Sequence, residues 1–112
     1  MREALTFPLP LEAVPDNRAC AVRRVVDGVE QSVVILRRGS ECWAYVNRCP
    51  HFSIPLDFEP GTFATYDGEV LMCAHHSALF RFEDGRCIDG PCAGQRLEAV
   101  PIRVIDRTID LR

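Results

Sequence analysis

The sequence lacks any long hydrophobic run, since its longest uninterrupted aliphatic stretch is VVIL at residues 33–36. A membrane-spanning helix needs about 20 apolar residues, so we expect no membrane span. Residues 1–16 also lack the apolar core of a secretory signal. These two absences predict a cytoplasmic protein that does not bind a membrane.

The sequence also lacks a basic stripe and a helical period. The net charge is −3, and the arginines are mixed with the acidic residues along the chain. Such a chain has no surface for neutralising phosphates, so nucleic acid is not an expected partner. Eight prolines are scattered through the chain, and no window of about 11 residues repeats its apolar positions at helical spacing.

Short β-branched runs separated by tight turns dominate the chain. The Asp-Gly pairs at 27–28, 67–68 and 84–85 each join two such runs, which predicts three hairpins. Further strands are expected at 41–47, 99–105 and 108–112. With 112 residues, the chain is long enough for one domain with a modest core. The predicted fold class is all-β, an antiparallel sandwich or small barrel.

All three histidines stand close behind a cysteine. Cys49 and His51 are separated by one residue, and Cys73 is followed by Ala74 and then by His75 and His76. Each group opens a loop at the end of a predicted strand. Thiolate and imidazole are ligands for zinc, copper and iron–sulfur clusters. Two such groups at matched positions predict a metal centre.

Two kinds of centre fit this ligand set. Tetrahedral zinc accepts two cysteines and two histidines, but zinc sites usually separate paired ligands by two or more residues. A cluster of two irons and two sulfides, in which two histidines replace two cysteines on one iron, also fits. An extended chain would pair Cys73 with His75, whereas a tight turn would pair it with His76. The residues alone leave that choice open.

The two segments resemble the signature of the Rieske family. CPHFSIPLDF and LMCAHHSALFRFEDGRCIDGPC are similar to the family's C-x-H and C-x-x-H motifs with their usual surroundings, over about 47–92. AVPIRV is similar to the family's closing strand. The chain departs from the pattern at Ser53 and Ser77, where glycines are common, and in a longer spacer between the motifs.

The resemblance implies a Rieske fold, in which a cluster-binding subdomain of two ligand loops (about 47–92) is inserted into a β base within a single domain, 1–112. It implies one 2Fe-2S cluster. Cys49 and Cys73 would hold the inner iron, and His51 and His76 the outer iron. His75 would lie in a variable surface position, and Pro91 would belong to a third loop that shields the cluster.

The resemblance also bears on the reduction potential. High-potential members have a disulfide between the loops and two hydroxyls aimed at the cluster. This chain has His75, Ala78 and Phe80 at the matching positions of the second loop, and Ile54 in the first. We therefore expect a potential in the lower part of the Rieske range, with Ser77 as the one nearby hydroxyl.

The remaining cysteines are expected to be thiols. Cys20 and Cys42 lie within strand runs and are interpreted as packed side chains. Cys87 and Cys92 flank a predicted turn and could approach each other, but a structural disulfide is disfavoured in a reducing compartment. Four aromatic residues are expected in the core. They are Trp43, Tyr45, Phe80 and Phe82.

The function implied is one-electron transfer by a ferredoxin that is not itself an enzyme. No histidine is left for the mononuclear iron of a complete Rieske oxygenase. The expected partners are an NAD(P)H-dependent flavoprotein reductase and a terminal aromatic-ring-hydroxylating oxygenase, docking transiently at the His51/His76 edge. Two alternatives stay open: the small Rieske-like subunit of an assimilatory nitrite reductase, and a zinc-stabilised binding module.

Overall fold

The structure, a computed structural model, describes residues 5–50, 54–57, 59–73 and 77–112. Within these ranges the chain is all-β, and its one helical element is the 3₁₀ turn Leu11–Ala13. No helix formed by the described residues is long and apolar enough to cross a membrane. The strands are β1 (Leu5–Thr6), β2 (Leu9–Pro10), β3 (Ala19–Val26), β4 (Val29–Arg38), β5 (Glu41–Val46), β6 (Ala64–Tyr66), β7 (Val70–Met72), β8 (Leu79–Arg81), β9 (Cys87–Asp89), β10 (Ile102–Ile105) and β11 (Thr108–Leu111).

The strands form three sheets. The first has the order β1-β3-β4-β5, the second β10-β11-β2 and the third β6-β7-β8-β9. The pairings within them are antiparallel except that of β1 with β3, which is parallel. The third sheet and the loops around it follow β5 and precede β10 in the chain.

The VVIL run is the centre of the first sheet. Val33, Val34, Ile35 and Leu36 in β4 are all fully buried. Because side chains alternate along a strand, Val33 and Ile35 face one core while Val34 and Leu36 face another. This strand is therefore covered on both faces, which explains why it is an unbroken apolar run rather than an alternating one.

Each face of β4 belongs to a separate hydrophobic core. The base core lies between the first and second sheets, and the site core lies between the first sheet and the third. The buried residues of the base core are Leu9, Leu11, Val14, Val22, Val33, Ile35, Ala44, Val46, Val100 and Ile109. Those of the site core are Val34, Leu36, Tyr45, Cys49, Leu56, Leu71, Cys73, Ala78, Phe80, Phe82, Cys87, Cys92 and Leu97.

The predicted hairpins are confirmed where their turns carry a clear signal. Asp27 and Gly28 both have positive φ, 51° and 79°, as the two-residue turn between β3 and β4 requires. The β10–β11 hairpin was not predicted, because its turn residues Asp106 and Arg107 adopt φ of 50° and 58° without a glycine.

The two N-terminal strands were also not predicted. β1 and β2 have two residues each, and Pro8 and Pro10 interrupt that part of the chain. β1 departs from the expected antiparallel pattern, since Leu5 pairs with Val22 in parallel. Strands this short have no period that a sequence pattern could reveal, and only their pairing with the long central strands defines them.

Candidate metal centre

Cys49 begins the first ligand loop, three residues after β5 ends. Its side chain is fully buried. Its backbone N–H donates to the carbonyl of Ile54 at 2.8 Å, so the loop returns to its starting point after five residues. Arg48 turns the chain into this loop by donating its N–H to the Val46 carbonyl at 2.8 Å.

The side chain of Asn47 holds the far end of the first loop. Its Oδ1 accepts the Leu56 N–H at 2.8 Å, and its Nδ2 donates to Asp57 Oδ1 at 3.1 Å and to Ser32 Oγ at 3.2 Å. Asp57 in turn accepts the Gly61 N–H at 2.9 Å through Oδ2. This role of Asn47 was not predicted, although an asparagine two residues before the candidate ligand Cys49 was a signal for it.

Cys73 begins the second ligand loop directly after β7, and it too is fully buried. Its N–H donates to the carbonyl of Ala78 at 2.8 Å, and its carbonyl accepts the Ser77 N–H at 3.1 Å. Ser77 has φ of 57°. This left-handed conformation is the physical reason that glycine suits this position.

The two ligand loops share one closure. In each, the cysteine N–H donates to the carbonyl five residues later at 2.8 Å. Both thiols enter the same buried core, where the low dielectric and the exclusion of water suit a metal cluster. The structure thus places the two cysteines of the predicted set in one buried core, and a soft ligand pair in dry surroundings fits an iron–sulfur cluster.

The predicted histidine ligands His51 and His76, and the neighbouring His75, lie outside the described residues. Counting from each cysteine, His75 stands at the same position as His51, two residues on. The resemblance assigns His76 instead. The choice stays a prediction.

A third loop, residues 90–94 after β9, packs against the second ligand loop. Gly90 has φ of 99°, and a Cβ at this position would lie 2.8 Å from Ala78 Cα. Glycine is therefore required here both for the backbone conformation and for the close approach. Pro91, predicted to belong to a shielding loop, is exposed next to this contact.

The four remaining cysteines are free in the structure. Burial raises the pKa of Cys20 to about 12 and that of Cys42 to about 11. Cys87 and Cys92 are both buried, with their Sγ atoms 3.2 Å apart. Burial, followed by the adjacent Cys87 and Cys49 thiols, raises the pKa of Cys92, so Cys92 keeps its proton at neutral pH.

Tyr45 joins the third sheet to the first. Its hydroxyl donates to the Phe82 carbonyl at 2.6 Å, and a Cβ at Gly85 would lie 2.6 Å from Tyr45 Cε1. The expected core aromatics are buried except Trp43, which is half-buried and carries Arg38 over its ring at 5.0 Å. These contacts hold the turn after β8 against β5, the strand that leads into the first ligand loop.

Comparison with known proteins gives a family and a fold. The sequence model of the Rieske [2Fe-2S] domain matches residues 11–105. No functionally curated protein matches the sequence. Many solved structures do match in fold.

Two of these structures are a ferredoxin and a terminal oxygenase. The ferredoxin of carbazole 1,9a-dioxygenase from Nocardioides aromaticivorans IC177 is 22% identical, with a TM-score of 0.69 over 93% of this chain and 95% of that chain. The terminal oxygenase of carbazole 1,9a-dioxygenase from Novosphingobium sp. KA1 is 19% identical, with a TM-score of 0.75 over 93% of this chain. This chain spans 28% of the length of that oxygenase.

Proposed function

Because the chain belongs to the Rieske [2Fe-2S] domain family, which carries a 2Fe-2S cluster, we propose that Cys49 and Cys73 bind the inner iron and that His51 and His76 bind the outer iron. The observation that carries this proposal is the pair of buried cysteines that begin two loops with the same closing hydrogen bond. Both loops belong to the segment 47–92, which we propose acts as the cluster-binding part of one domain, 1–112.

The proposed role of the chain is one-electron transfer as a Rieske-type electron carrier. When bound, the cluster accepts and releases one electron at a time. Phe80, Phe82 and Leu71 are fully buried in the core that contains Cys49 and Cys73 and exclude water from it. Asn47 and the two loop closures hold the cysteines in place.

The proposed acceptor is a Rieske-type terminal oxygenase, and the proposed donor is an NAD(P)H-dependent flavoprotein reductase. Support comes from the ferredoxin of similar length and fold and from solved complexes between an oxygenase and a ferredoxin in carbazole 1,9a-dioxygenase. Docking at the His51/His76 edge would give the electron its shortest path. Redox encounters of this kind have small, transient interfaces.

The cytoplasm is the proposed location. Cys20, Cys42, Cys87 and Cys92 are thiols, which suits a reducing compartment. The Sγ atoms of Cys87 and Cys92 lie 3.2 Å apart, so these two thiols would be at risk of forming a disulfide in an oxidising compartment.

The proposal is tested by purifying the protein without oxygen and measuring its iron, its visible absorbance and its electron paramagnetic resonance after reduction. Two irons per chain and the spectrum of a histidine-ligated cluster are expected. A colourless protein with one zinc per chain would support the zinc-stabilised module instead. Reduction by a flavoprotein reductase, followed by oxidation by a terminal oxygenase, then tests the partners. Electron delivery to a nitrite reductase in place of the oxygenase would overturn that part.

A further inference from the structure

The third loop buries one side chain, and that side chain is a thiol. From Ile88 to Arg96 every residue is exposed except Cys92, which is 1% exposed. The loop folds back onto β9, because the Gly94 N–H donates to the Cys87 carbonyl at 3.1 Å and the Cys87 N–H donates to the Gln95 carbonyl at 2.8 Å. An exposed loop thus holds one sulfur inside, next to the buried Cys87.

The two sulfurs are in direct contact. Cys92 Sγ donates to Cys87 Sγ at 3.2 Å, and Cys87 Sγ donates to the Asp89 carbonyl at 3.1 Å. The sulfurs of a disulfide lie about 2.0 Å apart, so an approach of about 1 Å would join this pair. The backbone bonds that fold the loop back already hold the two residues together.

The other two free thiols outside the ligand loops have no such relationship. Cys20 in β3 pairs with Ile35, and Cys42 in β5 pairs with Arg37. Strand β4 therefore lies between them, which places them about 9–10 Å apart. Disulfide-linked residues have Cα atoms within about 7 Å, so Cys20 and Cys42 cannot be joined while the sheet is intact.

We propose that Cys87 and Cys92 are an oxidative modification site, at which hydrogen peroxide converts the two thiols into a reversible disulfide that locks the third loop against the second ligand loop. In a reducing compartment such a bond is transient rather than structural. The proposal goes beyond electron transfer and does not depend on which residues bind the cluster.

The reaction is a two-electron oxidation of the thiol pair. One sulfur attacks the peroxide, the O–O bond breaks, one oxygen stays on that sulfur as a sulfenic acid, and the other leaves as water. The second sulfur then attacks the sulfenic sulfur. The S–S bond forms, the S–O bond breaks, and a second water leaves with the remaining thiol hydrogen.

Burial decides when the site reacts. It raises the pKa of Cys92, so the reactive thiolate is scarce at neutral pH. Hydrogen peroxide is small and uncharged, and it reaches a buried pair more readily than a bulky disulfide reagent does. The pair should therefore react slowly, under sustained exposure to peroxide.

The expected consequence is a more rigid third loop. The ring closed by the disulfide contains Gly90, and a Cβ at Gly90 would lie 2.8 Å from Ala78 Cα in the second ligand loop. Because a disulfide removes conformations in which its loop is open, this close contact should open less often in the oxidised protein.

The test exposes the cluster-loaded protein to one equivalent of hydrogen peroxide, labels the remaining thiols in denaturant and digests the chain with trypsin. Cleavage after Arg86 and Arg96 releases the segment 87–96, which contains Cys87 and Cys92 and no other cysteine. This segment should be two hydrogens lighter and unlabelled, and treatment with dithiothreitol before labelling should restore both labels. Retention of both labels after the peroxide is consumed would overturn the proposal, as would a link to another segment.

Two variants provide the matched comparison. Cys42→Ser should form the disulfide as the wild type does, because Cys42 takes no part in it. In Cys87→Ser, Cys92 has no partner, so it should keep its label or gain oxygen atoms irreversibly. Failure of Cys42→Ser to form the disulfide would contradict the selective pairing.

The lock is measured separately by amide hydrogen exchange in the segment 87–96 of the wild type. Exchange should be slower by about threefold or more in the oxidised protein than in the same protein after dithiothreitol. Equal exchange rates would show that the disulfide forms without locking the loop, which would overturn that half of the proposal.

Discussion

The hydroxyl of Tyr45 in β5 donates to the carbonyl of Phe82 at 2.6 Å, across the boundary between the first and third sheets. Replacing Tyr45 with Phe leaves that buried carbonyl without its donor. We expect a loss of about 1–3 kcal/mol in the free energy of unfolding, measured by urea denaturation. Tyr66→Phe is the matched control, since Tyr66 is 48% exposed and should cost much less. Equal effects would contradict the role of the Tyr45 hydrogen bond.

The same residue makes stability depend on pH. Burial, and after it Asp84 and Glu83, raises the pKa of Tyr45 above its ordinary value. In the unfolded chain Tyr45 releases its proton near pH 10, while in the folded chain it retains it. The stability that it contributes is therefore fully present below pH 10 and declines above it. The difference in unfolding free energy between the wild type and Tyr45→Phe should shrink as the pH rises from 9 to 11.

The hydrogen bonds of the Asn47 side chain to Leu56, Asp57 and Ser32, here called the Asn47 clamp, should control how firmly the first loop holds the cluster. Asn47→Ala removes the acceptor of the Leu56 N–H and the donor to Asp57. We expect faster cluster loss on exposure to a chelator, followed by visible absorbance, and a loss of about 1–3 kcal/mol in stability. Gln31→Ala is the control, because its contact with Arg24 lies away from the ligand loops. Equal rates of cluster loss in the two variants would refute the clamp.

Two glycines of the third loop provide a matched pair. Gly90 and Gly94 have similar φ, 99° and 92°, but a Cβ meets Ala78 Cα at 2.8 Å only at Gly90. Both alanine variants carry the backbone cost of about 1–3 kcal/mol. Gly90→Ala should in addition displace the loop from the second ligand loop and shorten the lifetime of the cluster. If Gly94→Ala shortens it as much, the contact with Ala78 has no special role.

The histidine assignment is decided by two substitutions. Because His76 is proposed as the ligand, His76→Ala should abolish the normal cluster, while His75→Ala should leave its absorbance and electron paramagnetic resonance intact. A colourless His75→Ala protein beside a normally coloured His76→Ala protein would invert the assignment.

The reduction potential should lie in the lower half of the Rieske range, about −150 to +300 mV. Ala78 and Phe80 are fully buried and occupy the two positions at which the high-potential members of the family have hydroxyl side chains. Phe80→Tyr should raise the potential because it adds one of these hydroxyls. A redox titration of the wild type that gives a value in the upper half would contradict this prediction.

Much of the fold follows from local chemistry that is visible in the sequence. The β3–β4 hairpin was predictable because Asp27 and Gly28 accept positive φ at low cost and stand between two β-branched runs. The two cysteines could be proposed as metal ligands because residue type and spacing restrict metal chemistry strongly. Their burial at 0% exposure follows from strands that end at the same core.

Other features depend on contacts between distant segments. The Asn47 clamp needs Ser32 and Asp57 to meet, the Tyr45 hydrogen bond joins residues 37 positions apart in the chain, and the contact between Gly90 and Ala78 joins two loops. No local pattern encodes such meetings, because they arise only when sheets pack.

The sequence by itself determined the all-β class, the strong turns and the pair of cysteines, since each depends on the intrinsic preferences of a few neighbouring residues. Only the tertiary structure decided that the VVIL strand is covered on both faces and that the Sγ atoms of Cys87 and Cys92 lie 3.2 Å apart. These relationships depend on how the chain fills space around a shared core, and close packing of side chains from separate elements is a property of the whole fold.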